Sequence, residues 1–217
     1  MKKTILAVAC LATFLTSTAQ DNKTVSFGAK GGLNISSVVL QENLNTNSSS
    51  KIGAHVGAFA NIKVGKKFAF QPEILFSMQG AKQTIDLYYN KQEANTRLNY
   101  LSIPLNFQFN IVEKVFIEAG PYFDFLLSAK GDVVSSNNYF NNQTTVVENG
   151  KNLKDYYDNF TFGVSFGAGY PINKQFSVNA RYYLGLSSVE KSDVTGSFET
   201  ISTKNRLLQL GVGYTFN

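Results

Sequence analysis

Apolar and polar residues alternate along most of this chain from Ser26 to its end. An alternation with a period of two residues is typical of a β-strand that has one apolar face and one polar face. The pattern recurs in eight separate segments, and it therefore predicts eight strands. The predicted strands cover residues 24–34, 52–63, 68–79, 98–110, 115–128, 159–170, 175–187 and 205–217.

The two faces of each predicted strand differ in polarity, and the connections between strands are alternately short and long. In the third segment Phe70, Ile74 and Phe76 share one face, whereas Gln71 and Glu73 share the other. Short turns at one end and long loops at the other are typical of outer-membrane barrels. The sequence therefore predicts an all-β fold, an eight-stranded antiparallel up-and-down transmembrane β-barrel with short periplasmic turns and long extracellular loops. The short connections are 64–67, 111–114 and 171–174, and the long ones are 35–51, 80–97, 129–158 and 188–204.

Aromatic residues on the apolar face cluster near both ends of the predicted strands. Two such rings, one at each membrane interface, are typical of transmembrane barrels. Near the short turns lie Phe68, Phe70, Phe109, Tyr170, Phe176, Tyr214 and Phe216. Nearer the long loops lie Phe76, Phe123, Phe125, Phe160, Phe162 and Tyr182.

Three prolines fall inside predicted strands, at Pro72, Pro104 and Pro121. A proline removes one hydrogen-bond donor from the ladder, and a closed barrel has no free edge at which to place it. We therefore expect β-bulges at these positions.

The N-terminal residues have the organisation of a secretory leader. Two lysines precede an apolar stretch, Thr4 to Leu15, that is too short to cross a bilayer. Ser17 and Ala19 are small residues at the −3 and −1 positions of a cleavage site. These features predict a cleaved signal peptide at residues 1–19 and a barrel domain at residues 20–217.

The single cysteine, Cys10, leaves one alternative for the leader, a lipoprotein signal ending at this residue. The preceding Ala7-Val8-Ala9 lacks the usual leucine three positions before the cysteine. In either case no other cysteine follows, which excludes intramolecular disulfides and thiolate zinc sites. We predict no cofactor.

Charge excludes one class of partner. The formal charge of +5 becomes +3 when the two leader lysines are removed (5 − 2), and the excess is scattered over loops and strand ends. Nucleic-acid binding requires a concentrated basic face, so no nucleic-acid partner is predicted.

Several short motifs resemble one known family, the small PorT-like outer-membrane β-barrel domain common in Bacteroidota and often labelled porin-family. The resemblance covers nearly all of the chain after the leader, and it implies an outer-membrane barrel. Most members of that family have no assigned activity, and one is associated with secretion and gliding machinery. The motifs are Phe27-Gly28-Ala29-Lys30-Gly31-Gly32-Leu33-Asn34, Tyr100-Leu101-Ser102-Ile103-Pro104-Leu105, Gly120-Pro121-Tyr122, Phe166-Gly167-Ala168-Gly169-Tyr170 and Ala180-Arg181-Tyr182-Tyr183.

Five charged residues, Lys30, Glu73, Glu118, Asp124 and Arg181, are predicted to face the interior. The interior of an eight-stranded barrel is just wide enough for side chains to fill it. Buried charges need partners, because breaking a buried pair costs about 3–5 kcal/mol. Since strands four apart face each other, we expect Arg181 to approach Glu73, and Lys30 to approach Glu118 and Asp124. This network is interpreted as structural rather than as a transport path.

The predicted function is that of a non-enzymatic barrel with a role in envelope structure or in surface interaction through its long loops. The loop at 129–158 offers a candidate contact surface, although it equally fits a solvated loop or a strand extension through 133–134 and 146–147. The predicted partners are outer-membrane lipids, the outer-membrane insertion machinery and an unidentified surface or secretion-complex partner. The candidate contact residues are Tyr139, Phe140, Tyr156 and Tyr157.

Three alternatives remain open at this point. A narrow porin would conduct small solutes, and a soluble periplasmic β-protein would bury its apolar faces against each other. A lipid-modifying enzyme needs a histidine beside a serine or carboxylate near the outer rim. The single histidine, His55, lies near that rim, and Ser50 and Asp86 are its candidate partners.

Overall fold

The structure, a computed structural model, describes residues 24–40, 46–87, 90–112, 114–139, 142–191 and 203–216. The predicted signal peptide at 1–19 and the alternative leader ending at Cys10 lie outside the described residues. The domain boundary after residue 19 therefore stays a prediction.

The described chain forms an antiparallel sheet that closes into an eight-stranded barrel. Each barrel strand pairs with its neighbours in the sequence, and the barrel closes through pairing of the first strand with the last. A further strand, β6, pairs with the outer part of β5 and extends the sheet beyond the barrel. The strands are β1 Val25–Leu40, β2 Thr46–Lys63, β3 Phe68–Leu87, β4 Asn90–Val112, β5 Val115–Tyr139, β6 Asn142–Asn152, β7 Phe160–Pro171, β8 Phe176–Gly185 and β9 Thr203–Thr215.

Polarity in this barrel is inverted relative to a water-soluble protein. The apolar faces of the strands point outward and are exposed, as at Ile74, Phe107 and Phe166. The polar faces point inward, so that the alternation in the sequence becomes a dry outer wall and a polar lumen. This arrangement excludes the alternative in which the apolar faces pack together as the core of a soluble sandwich. The buried polar residues are Lys30, Asn34, Ser36, His55, Gln71, Glu73, Ser77, Gln79, Ser102, Asn106, Gln108, Glu118, Asp124, Thr161, Ser165, Asn179, Arg181, Asn205 and Gln209.

The strands are longer than the sequence pattern predicts, because most of three predicted long loops is paired. The segments 35–51 and 80–97 are largely strand, and β5 and β6 form a hairpin in which Val134 pairs with Val147. Beyond the apolar band both faces of a strand meet water, so the alternation ends while backbone pairing continues. The strand extension expected as one interpretation of 129–158 is therefore present.

The expected bulges at the prolines are absent from the described strands. Pro72 pairs with Leu105, Pro104 with Tyr122 and Pro121 with Val164, without a shift of register on either side of those pairs. Each proline therefore removes a donor without inserting an extra residue. The register shifts lie elsewhere, for example between Asn99 and Tyr100 of β4.

The helical content of the described chain is a short 3-10 turn at Lys154–Tyr156. No helix in the described ranges is long and apolar enough to cross a bilayer.

The hairpin of β5 and β6 has a carboxylate contact that predicts a pH dependence. Asp132 Oδ1 accepts hydrogen bonds from the backbone N of Gly150 and from Arg97 Nη2, both at 2.8 Å. The bond from Gly150, followed by the charge of Arg97, lowers the pKa of Asp132. A lowered folded-state pKa contributes stability above the unfolded value of about 3.9, and this stability is lost as the pH falls through the folded pKa.

We therefore expect hydrogen exchange of the β6 amides, corrected for intrinsic rates, to accelerate below about pH 4. In Asp132→Asn this acceleration should be missing. An unchanged pH profile in the variant would show that another group controls the opening of the hairpin.

Candidate functional site

The centre of the lumen holds a cluster of buried ion pairs around Arg181. Its Nη1 and Nη2 donate to Glu73 Oε2 and Oε1 at 3.0 and 2.8 Å, and its Nε donates to Glu118 Oε1 at 2.9 Å. Lys30 Nζ donates to Glu73 Oε1 at 2.9 Å. The side chains of Arg181 and Glu73 are fully buried. Two cations and two carboxylates therefore balance one another across the barrel.

The predicted approach of Arg181 to Glu73 is present, whereas Lys30 lies in the same cluster as Glu118 but forms its ion pair with Glu73. Lys30 pairs with Glu73 of β3, two strands away, whereas Glu118 pairs with Arg181. The order of the strands predicts which strands face each other across the lumen. It does not predict how far along the barrel axis each charged group lies. A long, flexible lysine then reaches the carboxylate at its own height.

Asp124 stands apart from this cluster. Its Oδ2 accepts a hydrogen bond from Gln79 Nε2 at 3.4 Å, and its Oδ1 has no partner in the described chain. The residue is 2% exposed, and no described cation pairs with it. The expected pairing of Asp124 with Lys30 is therefore wrong.

Neutral side chains connect the ion cluster to the region of Asp124. Tyr183 Oη accepts from Arg181 Nη1 at 2.9 Å and donates to Gln209 Oε1 at 3.2 Å. Gln209 Nε2 then donates to Asn34 Oδ1 at 3.3 Å, and Asn34 Nδ2 donates to Ser77 Oγ at 3.0 Å. Hydrogen-bonded side chains therefore fill the lumen along much of its length.

At the end of the barrel that carries the short turns, the lumen opens into a small vestibule of about 270 Å³. Lys63 and Lys174 border its mouth, and Asn61 donates to Gln71 and Gln108 on its walls. Lys30 and Glu118 also line the vestibule, so it ends at the ion cluster.

At the opposite end a cap with an apolar underside packs against the inner faces of β4 and β5. We define the cap as residues 153–158 together with residues 187–191. The backbone N of Asp158 donates to Val189 O at 2.9 Å, and the backbone N of Lys191 donates to Tyr156 O at 3.0 Å. Val189 is 1% exposed within an apolar cluster. The other members of the cluster are Leu98, Tyr100, Leu126 and Ala129, against which Leu153 and Tyr157 pack.

The candidate catalytic residues are not brought together. His55 is buried in the lumen, where its Nδ1 lies 3.0 Å from Asn34 Oδ1 and its Nε2 has no partner among the described atoms. Ser50 is exposed and pairs with Ala81 of β3, and the side chain of Asp86 lies outside the described residues. His55 therefore contacts an amide rather than a serine or carboxylate. No metal-binding group of His, Cys, Asp and Glu occurs in the described chain.

The candidate contact surface is divided by the structure. Tyr156 is exposed, whereas Tyr157 is half-buried and packs against the apolar cluster beneath the cap. Tyr139 ends β5, but its side chain lies outside the described residues, as does the whole of Phe140. Tyr157 therefore belongs to the closure of the barrel rather than to an exposed surface.

The outer wall carries an apolar band of defined height. On β3 the outward residues from Phe68 to Met78 are apolar, which at about 3.3 Å per residue is about 33 Å of strand. A strand tilt of about 40° reduces this length to a height of about 25 Å, the usual height of the apolar band of a transmembrane barrel. At the edge of the band near the short turns, the ring centroids of Phe68 and Phe109 lie 4.9 Å apart and those of Phe176 and Tyr214 lie 5.0 Å apart. Near the other edge the ring centroids of Phe125 and Phe160 lie 5.3 Å apart.

The five predicted charges leave out the neutral residues that complete the lumen network. The alternation in the sequence already places three of them, Tyr183, Gln209 and Asn34, on the polar faces of their strands. Their position in the alternation could therefore have identified them as lumen residues. The cap had no such signal, because residues 153–158 and 187–191 are too short and irregular to show a period.

Comparison with solved structures finds small outer-membrane barrels of low sequence identity. The attachment invasion locus protein Ail of Yersinia pestis is 13% identical, with 88% of this chain and 98% of that chain covered and a TM-score of 0.43. The Neisserial surface protein A is 12% identical, with coverages of 88% and 99% and a TM-score of 0.48. CarO2 of Acinetobacter baumannii is 10% identical, with coverages of 90% and 100% and a TM-score of 0.43. A comparison with curated protein sequences finds no match.

A family model described as the outer membrane protein beta-barrel domain matches residues 18–191. The match spans β1 to β8 and includes the strands that supply all five charged residues of the predicted network. The chain belongs to the outer membrane protein beta-barrel domain family.

Proposed function

We propose that this protein is a non-enzymatic integral outer-membrane barrel whose lumen is filled by side chains and whose role lies in envelope structure or surface interaction. The inversion of polarity carries this proposal, because an exposed apolar wall about 25 Å high is stable only when hydrocarbon surrounds it. The filled lumen supports a structural role over passage of solutes.

The orientation follows from the ends of the barrel. The short turns between β2 and β3, β4 and β5, and β7 and β8 face the periplasm, and the long hairpins and the cap face the cell exterior. Export through the signal peptide at 1–19 and insertion by the outer-membrane machinery belong to the same proposal. The motif resemblance supports a finer assignment to the PorT-like barrels of Bacteroidota.

Surface interaction would use the hairpin of β5 and β6 beyond the membrane. Tyr156 next to this hairpin is exposed, and it is the described tyrosine of the candidate contact surface that a surface or secretion-complex partner could reach. Deletion of residues 142–150, joined by a short turn, should abolish binding of such a partner while leaving the barrel folded.

Fractionation combined with gel mobility tests the proposed location. The folded protein should partition with the outer membrane and migrate differently from a boiled sample on the same gel. A protein found in the soluble periplasmic fraction, with one mobility in both samples, would overturn the proposal.

The structure of the lumen predicts the outcome of a conductance measurement. The cap packs against β4 and β5 at one end, and the cluster of Arg181, Glu73, Glu118 and Lys30 blocks the vestibule at the other. We expect the purified protein to insert into planar bilayers without discrete conductance steps. Reproducible steps of one size in the wild-type protein would favour the narrow porin.

A further inference from the structure

The lipid-facing wall of the barrel contains an apolar groove of about 690 Å³ across β7, β8, β9 and β1. Its floor lies at Ala168 and Ala180, which pair directly across β7 and β8 and both point outward. Larger residues rise on either side, because Leu210 of β9 pairs with Ala180 and Ile117 of β5 pairs with Ala168. Two short side chains among long ones therefore leave a hollow in the wall.

The groove runs toward the end of the barrel that carries the short turns. Tyr170, Val178 and Val212 form the next outward row, and Val115 lies at the same end of the groove. The aromatic pair of Phe176 and Tyr214 follows one row further. The hollow thus spans two outward rows of the wall, and the aromatic pair lies between it and the short turns.

The groove lies about one membrane leaflet away from the short turns. Ala180 and Lys174 are six positions apart in the chain, which is at most about 20 Å when the chain is extended. With a tilt of about 40° the height is about 15 Å. Half of a hydrocarbon core about 30 Å thick is the same height. An acyl chain whose headgroup lies at the interface is therefore long enough to reach Ala168 and Ala180.

Positive charge marks the interface above the groove. Lys114 directly precedes Val115, and Lys174 lies in the turn between β7 and β8; both side chains are exposed. Lys66 and Lys67, in the turn between β2 and β3, are exposed at the same end of the barrel but lie outside the strands that form the groove. Among the described residues of the short turns no acidic side chain offsets them, while Glu113 lies outside the described residues. An anionic headgroup is the complement of this surface.

We propose that the groove is a binding site for an anionic glycerophospholipid of the periplasmic leaflet, with one acyl chain over Ala168 and Ala180 and the phosphate between Lys114 and Lys174. This inference rests on the proposed orientation, because the short turns must lie in that leaflet. The site distinguishes lipids by headgroup charge through the lysines and by chain fit through the two alanines.

The test is native mass spectrometry of the folded protein with phosphatidylglycerol or phosphatidylethanolamine of identical acyl chains. Wild-type protein should retain more phosphatidylglycerol. Ala168→Leu combined with Ala180→Leu should lose retention of both lipids, because the added side chains fill the groove. Lys114→Gln combined with Lys174→Gln should lower retention of phosphatidylglycerol by about fivefold per lysine, and so lose the preference over phosphatidylethanolamine.

Matched variants control for general effects of hydrophobicity and charge. Ala54→Leu combined with Ala58→Leu adds the same bulk at two outward, exposed positions of β2. Lys66→Gln combined with Lys67→Gln removes the same charge from another short turn. Both controls should behave as wild type.

The outcomes separate this inference from the proposed function. Equal retention of the two lipids by the wild-type protein, or unchanged retention in the alanine variant, would overturn the lipid site while a heat-modifiable barrel still supports the proposed function. Loss of retention in a control pair as large as in its test pair would equally overturn the site. A wild-type protein that does not partition with the outer membrane would overturn the proposed function first.

Discussion

Replacement of Arg181 by methionine is expected to lower the free energy of unfolding by about 3–5 kcal/mol, because it leaves the buried Glu118 carboxylate without a cation and removes one of the two cations of Glu73. Glu73 would keep Lys30, whereas Glu118 would keep a single hydrogen bond from Gln108 Nε2 at 3.1 Å. The measurement is the urea dependence of the folded band on an unheated gel, with protein refolded into lipid vesicles.

Arg97 supplies a matched control for this substitution. Its Nη2 also pairs with a carboxylate at 2.8 Å, that of Asp132, but its side chain is 49% exposed. Arg97→Met should therefore cost no more than about 1 kcal/mol. Adding Glu118→Gln to Arg181→Met should recover part of the loss, because it removes the carboxylate left unpaired. Equal effects of the two arginine substitutions would show that the lumen is open to water.

Replacement of Ile74 by arginine is expected to destabilise the folded barrel in lipid by about 2–4 kcal/mol, because it places a charge near the middle of the hydrocarbon. Ile74 is 52% exposed on the outer wall of β3, so the larger side chain meets no protein atoms that would clash. The same urea titration in vesicles measures the effect.

Val64, in the short turn after β2, controls for the arginine itself. It is 71% exposed and lies at the interface, where the same change costs about 0–1 kcal/mol. A soluble protein would tolerate both substitutions equally. Equal stability of Ile74→Arg and Val64→Arg would therefore contradict the placement of the apolar wall in lipid.

The periodicity of the sequence predicts the fold well where one face of each strand meets hydrocarbon. There an outward residue such as Ile74 must be apolar, and its inward neighbour Glu73 must be polar. The alternation alone therefore shows which side chains face the lumen and which face the outer wall. Beyond the band this constraint ends, and the pairing of Val134 with Val147 continues without an alternating signal. The predicted strands therefore end too early at the exterior side.

The candidate site is predicted less completely, for two physical reasons. The inward position of Lys30 follows from parity, but its partner depends on strand tilt and on the reach of its side chain. The cap follows from no local rule, because Val189 and Leu153 become neighbours only after distant segments meet over the lumen. Contacts between segments this far apart in the chain leave no periodic pattern of apolar residues in the sequence.

The pairing of Arg181 with Glu73 has a consequence for assembly. The two residues are 108 positions apart in the chain, one in β8 and the other in β3. A sheet that has inserted but not yet joined β1 to β9 would lack the pairing of Arg181 with Glu73, although Arg181 could still contact Glu118 and Lys30 could still contact Glu73. Barrels that are inserted but not closed are therefore disfavoured. The last step of biogenesis should be a slow, cooperative closure in which β1 pairs with β9 and Arg181 pairs with Glu73 at the same time.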